Sequence, residues 1–142
     1  MQIVSKTQYV EQNTALTIGN FDGLHKGHVE LVTRLVDYAR KHSVKSVVLT
    51  FDPHPLEFFS PETRIPRING LAETKRILEP MGVDMLVQMP FTKVLAGMTP
   101  QTFFQEVIQK TFNPEFIVVG EDHHFGKNRA GTPAVLQTLC RE

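Results

Sequence analysis

A chain of 142 residues with 41% hydrophobic and 21% charged residues has the size and composition of one globular domain that buries a core without staples. Fifteen basic and fifteen acidic residues cancel, which excludes the electrostatic footprint of a nucleic-acid or anionic-membrane binder and leaves any bound anion to be held by local geometry. The lone cysteine, Cys140, excludes an internal disulfide and a cysteine zinc cluster and suits a cytoplasmic setting; residues 1–6 lack the apolar run of a signal peptide, and no stretch approaches the roughly twenty apolar residues of a membrane span.

Apolar runs and amphipathic stretches then alternate along the chain. Ala15-Leu16-Thr17-Ile18-Gly19 reads as a short buried strand ending at glycine. Residues 29–42 show helical period, with Val29, Val32, Leu35, Val36 and Ala39 on one face. Residues 46–51 form a second, β-branched strand, stopped by Asp52-Pro53-His54-Pro55. Residues 56–70 read as a long loop of the functional kind. A helix over 71–81 closed by Gly82, a strand over 84–88, a helix from the Thr99-Pro100 cap to about Thr111, a strand over 116–120 and a last helix from Thr132-Pro133 complete the series. Strand–helix alternation predicts an α/β fold: a Rossmann-like parallel sheet with helices on both faces. Ligands of such sheets sit beyond the carboxyl ends of strands, where the polar segments 19–28, 52–55 and 120–132 fall.

The first of these segments, Gly19-Asn20-Phe21-Asp22-Gly23-Leu24-His25-Lys26-Gly27-His28, joins a strand to a helix. Its glycines allow close backbone approach, and free N–H groups at the helix start offer an anion site. His25 and His28 stand three apart, so that two imidazoles can donate hydrogen bonds to phosphate oxygens. Taken alone, the pair is better read as a helix cap and a surface residue; the glycine spacing and the preceding strand reverse that in favour of the anion site. The segment is neither a Walker loop nor a dinucleotide fingerprint.

His25-Lys26-Gly27-His28 resembles the His-x-Gly-His signature of the nucleotidyltransferase superfamily. The longer string from Gly19 to His28 resembles the FMN adenylyltransferase (FAD synthetase) module of the bacterial bifunctional riboflavin kinase/FMN adenylyltransferases. Two further segments carry the likeness: Thr50-Phe51-Asp52-Pro53-His54-Pro55, and residues 118–132, which match a Val-Gly-x-Asp/Asn-Phe-x-Phe-Gly…Ala-Gly-Thr string with His123 where the family usually has phenylalanine. Phe91-Thr92-Lys93 and Thr99-Pro100 ahead of Phe103 also match in place and type.

The resemblance implies adenylyl transfer from ATP to FMN. It implies His25 and His28 at the phosphates, and nucleotide contacts from Gly19, Asn20, Phe21, Asp22, Gly23, Gly27 and Asp122. Asp122 would also hold magnesium, and Asp52, His54, Phe59, Phe103 and Phe125 would border the flavin. Asp52 equally suits a capping turn and Phe103 equally a core position. Asp122-His123-His124 makes a poor zinc site, because adjacent side chains on extended backbone diverge. The family carries a downstream Ile-Ser-Ser-Thr-x-Ile-Arg motif and a riboflavin kinase domain. Neither appears by Glu142, so the expectation is an FMN adenylyltransferase domain over 1–142, truncated at its C-terminus, with the kinase domain as its partner in the full-length protein. Two alternatives stay open: transfer to a non-flavin phosphate substrate, and a non-catalytic nucleotide- or flavin-binding module.

Overall fold

A computed structural model describes residues 2–4, 13–19, 26–52, 71–120, 123, 125–127 and 130–141, with the backbone alone for 2–4, 26, 27, 52 and 71. In chain order the elements are β1 (Gln2–Val4), β2 (Thr14–Ile18), α1 (Lys26–His42), β3 (Lys45–Asp52) and α2 (Leu71–Leu78), which tightens into a 3-10 turn over Glu79–Met81. There follow β4 (Met85–Pro90), the short α3 (Lys93–Ala96), a helix α4 over 100–112, β5 (Pro114–Val118) and α5 (Pro133–Arg141).

The strands form one parallel sheet in the order β1-β4-β3-β2-β5. The chain steps outward from β2 through β3 to β4, then returns past β2 to lay β5 on its other side. The order therefore reverses between β2 and β5, and the carboxyl edge there is the topological switch point where ligands of such sheets bind.

Each face of the sheet owns one core. Leu16, Ile18, Val47, Leu49, Val87 and Met89 point towards α4 and α5, meeting Phe103, Phe104, Ile108, Phe112 and Leu136. Ala15, Val48 and Leu86 point the other way, beneath Val32, Leu35, Val36 and Ala39 of α1 and Leu78 of α2. Near-continuous apolar strands are what burial on both faces requires. Exposed helix pairs such as Arg34–Glu30 at 2.8 Å and Lys110–Glu106 at 3.0 Å contribute only about 0.3–0.5 kcal/mol each. Truncating one core leucine costs about 2–5 kcal/mol, so the two cores decide the fold.

The caps behave as their residue types dictate. Thr99 accepts from the backbone N–H of Thr102 at 3.2 Å, Thr132 accepts from that of Val135 at 3.2 Å, and Gly82 ends the 3-10 turn at φ 94°. At the amino ends of β3 and β4, the Asp84 carboxylate accepts from the Ser46 N–H at 2.9 Å and the Ser46 hydroxyl at 3.2 Å, fixing the register of that pair.

Four features depart from expectation. β1 is an additional edge strand, and α3 an additional helical turn capped by Thr92. Val29, assigned to the buried face of α1, is 44% exposed; the spacing 28, 32, 35, 36, 39 puts His28 on that face instead. α4 is not a regular α-helix: Pro100–Phe103 and Lys110–Phe112 flank a π-helical stretch, Phe104–Gln109. Its buried pairs, Phe103/Phe104, Val107/Ile108 and Thr111/Phe112, repeat every four residues. A 3.6-residue helix would rotate such a repeat off the core, and the wider i→i+5 turn compensates.

Candidate functional site

A glycine follows each strand at the switch point, Gly19 directly after β2 and Gly120 two residues after β5. The Gly19 N–H donates to the Leu49 carbonyl at 3.0 Å, so the chain leaves β2 at its junction with β3. After residues 20–25, α1 begins at Lys26 on the same carboxyl edge. Its first turn carries no acidic residue, while its last turn carries Arg40, Lys41 and His42, so no side chain of that first turn offsets the positive end of the helix and the basic last turn suits the negative one. The N–H groups of a helix start suit a phosphate. His28 is the third residue of α1, half-buried, with Nδ1 shielded from solvent.

The other edge is the loop after β5. The His123 N–H donates to the Gly120 carbonyl at 3.1 Å, and the His123 ring lies nearly parallel to that of Phe125 at 5.9 Å. Phe125 and Gly131 exchange backbone hydrogen bonds of 3.0 and 2.8 Å in an antiparallel bridge, closing the loop on itself. The Lys127 N–H donates to the Met98 carbonyl at 2.6 Å, pinning the loop to the entrance of α4. Gly126 makes this docking feasible: it holds φ at +78°, and a Cβ there would stand 2.9 Å from the Pro100 nitrogen. A Cβ on Gly131 would stand 2.6 Å from the Phe125 carbonyl oxygen. The Gly and Ala-Gly-Thr elements of the motif thus have a backbone reason, and Thr132 ends it by capping α5.

Four phenylalanines line the carboxyl edge beside this loop. Phe51, next to last in β3, meets Phe91, just after β4, edge-on at 5.7 Å; Phe103 lies 6.1 Å from Phe51 and 5.6 Å from Phe125. Phe103 and Phe125 are 2% and 6% exposed, whereas Phe51 and Phe91 are only partly buried. The structure thus brings Phe103 and Phe125 together as the floor of an aromatic group whose accessible surface belongs to Phe51 and Phe91.

Of the residues singled out in the sequence, Gly19, Gly27 and His28 stand on the β2–α1 side of the switch point, and Asp52 ends β3 on the same edge. His25, Asn20, Phe21, Asp22, Gly23, His54, Phe59 and Asp122 lie outside the described residues. Among the described residues no three histidine, cysteine or acidic side chains gather as a metal site. Sequence reasoning missed the docking of Gly126 on Pro100 and the part of Phe51 and Phe91 in the aromatic group.

Comparison with known proteins agrees with this geometry. The sequence profile described as FAD synthetase matches residues 7–142. A bifunctional riboflavin kinase/FMN adenylyltransferase from Escherichia coli (strain K12) is 36% identical over 136 residues, covering 96% of this chain and 44% of the relative. Its counterpart from Pseudomonas fluorescens is 36% identical over 121 residues, covering 85% and 39%. The one from Buchnera aphidicola of Schizaphis graminum is 27% identical over 130 residues, covering 92% and 42%. A crystal structure described as a macrolide-efflux protein from Streptococcus pneumoniae superposes with a TM-score of 0.82 at 30% identity, over 98% of this chain and 47% of that one. Among the described residues no helix is long and apolar enough to cross a membrane. The chain spans less than half the length of the curated relatives it matches. With the profile matched almost end to end, the chain belongs to the FAD synthetase family.

Proposed function

We propose that this chain transfers the adenylyl group of ATP to FMN, giving FAD and pyrophosphate. The observation that carries the proposal is the adjacency of β2 and β5, which brings the end of β2, the start of α1 and the end of β5 to one carboxyl edge. An FMN phosphate oxygen attacks the α-phosphorus in line as pyrophosphate leaves, so no protein nucleophile is required. Positioning and charge stabilisation carry the rate. The first turn of α1 and His28, with His25, donate hydrogen bonds to the α- and β-phosphates, and Gly23 and Gly27 let the backbone come close. Gly19, Asn20, Phe21 and Asp22 complete the nucleotide side.

Magnesium suits one carboxylate plus phosphate oxygens and needs no all-protein cage. Asp122 would hold it, and the ion would neutralise phosphate charge. The flavin ring lies over the aromatic group, bordered by Asp52, His54 and Phe59, with Phe103 and Phe125 as its floor. A riboflavin kinase domain, the second activity in the names of the relatives, is the partner expected of the whole protein, and the cytoplasm its setting.

Titrating FMN with the chain tests the flavin assignment. Saturable quenching of flavin fluorescence is expected; ATP turnover with another phosphate acceptor and no quenching by FMN would move the substrate to a non-flavin phosphate.

A further inference from the structure

Two threonines of β2 have fully buried side chains and different fates. The Thr14 hydroxyl donates to the Phe112 carbonyl at 2.8 Å. The Thr17 hydroxyl, equally buried, has no hydrogen-bond partner. An orphaned buried hydroxyl opposes folding, and valine would fit an apolar strand position with equal β-propensity, as it does at Val47 and Val48 on the neighbouring strand. The polar group therefore calls for a use outside the packing of the unliganded chain.

Its place in the fold suggests that use. Side chains alternate along β2, so Leu16 and Ile18 face α4 while Ala15 and Thr17 face α1. Thr17 pairs in register with Val48 and Val118, both of which belong to the α1 side. It is the last residue of β2 on that face before the strand ends. α1 crosses β2 with its N-terminus at the carboxyl edge, and its sheet-facing series runs His28, Val32, Leu35, Val36, Ala39. The first of that series and the last α1-facing residue of β2 thus share one end of one helix–strand interface. The His28 Nδ1 is shielded from solvent.

We propose that Thr17 is a positioning residue for His28: when nucleotide binds, the Thr17 hydroxyl hydrogen-bonds the imidazole Nδ1 and holds the ring with Nε2 on the phosphates. The proposal rests on the adenylyl-transfer reading of the site. A hydroxyl suits the task because it donates to Nδ1 of a neutral imidazole and accepts from it when the ring is protonated. A partner at one ring nitrogen fixes the orientation and tautomer of the other.

Thr17→Val and Thr17→Ser test it, with three readouts: melting temperature without nucleotide, affinity for ATP with magnesium, and the ring ¹⁵N resonances of His28. Thr17→Val is expected to melt above the wild type, to bind ATP about tenfold more weakly, and to lose the ATP-induced shift of Nδ1. Thr17→Ser, which keeps the hydroxyl, is expected to hold ATP affinity within about twofold and to keep the shift. Wild-type ATP affinity and an unchanged Nδ1 shift in Thr17→Val would overturn the proposal while leaving the site assignment standing. Failure of the wild type to bind ATP would instead overturn the site assignment, and the Thr17 role with it.

Discussion

At the scale of single residues, the two buried threonines of β2 predict opposite results from the same substitution. Thr14→Val removes the hydroxyl donor to the Phe112 carbonyl, at a cost of about 1 kcal/mol in urea unfolding. Thr17→Val removes a hydroxyl that makes no bond, and unfolding should shift to higher urea. Gly126→Ala combines two penalties: a left-handed φ, and a Cβ 2.9 and 3.0 Å from the backbone nitrogen and Cα of Pro100, neither of which yields as a side-chain tip would. The expected loss is about 2 kcal/mol or more, read from the shift in the urea midpoint. Wild-type stability in that variant would show that the loop is not held there. Residue-level detail is also where sequence patterning was weakest. Val29 and His28 are neighbours, and one helical step of 100° decides which of them meets the sheet. Hydrophobicity favoured Val29, but the 28–32–36 row won because α1 starts three residues earlier, at Lys26.

At the scale of elements, punctuation residues were legible because they act through their own backbone. Thr99-Pro100, Thr132-Pro133 and Gly82 mark the boundaries they predict. The π stretch of α4 was not legible as such. A four-residue repeat of buried pairs looks amphipathic at helical period, and the departure appears only when the core fixes both ends of the helix. β1 was missed because three residues with a single apolar pair show no period; they are a strand because β4 offers an edge to pair with. One contact between elements carries a pH prediction. Tyr38 of α1 donates to the Glu115 carboxylate at 2.9 Å and stacks on His42 at 4.0 Å and Phe116 of β5 at 4.1 Å. The hydrogen bond to Glu115, then desolvation, raises the Tyr38 pKa above its ordinary value of 10.0. A proton held more tightly in the folded state stabilises it below the unfolded pKa, and that contribution is lost as pH rises through the folded one. The urea midpoint should therefore fall with pH above about 10, and Tyr38→Phe should flatten that fall. An identical alkaline decline in Tyr38→Phe would remove the tyrosine as its cause.

At the scale of the whole molecule, alternation of strands and helices announced a parallel sheet, while strand order had to come from packing. Nothing local in Ala15–Ile18 or Pro114–Val118 states that they are neighbours. Their adjacency is what turns three separate polar segments into one carboxyl edge. The family was legible where short strings carry it, as at Gly19 to His28. The site was not legible where it depends on shape, as in the packing of Phe51, Phe91, Phe103 and Phe125. The central claim is that an α1 N-terminus and His28 at the switch point stabilise phosphate charge during transfer. It is tested most directly by measuring FAD and pyrophosphate formed from ATP, FMN and magnesium by the wild-type chain and by His28→Ala, alongside their melting temperatures. The expected result is equal amounts of both products from the wild type and a loss of at least about a hundredfold in His28→Ala without a change in melting. Wild-type turnover by His28→Ala, or no FAD from the wild type, would contradict it.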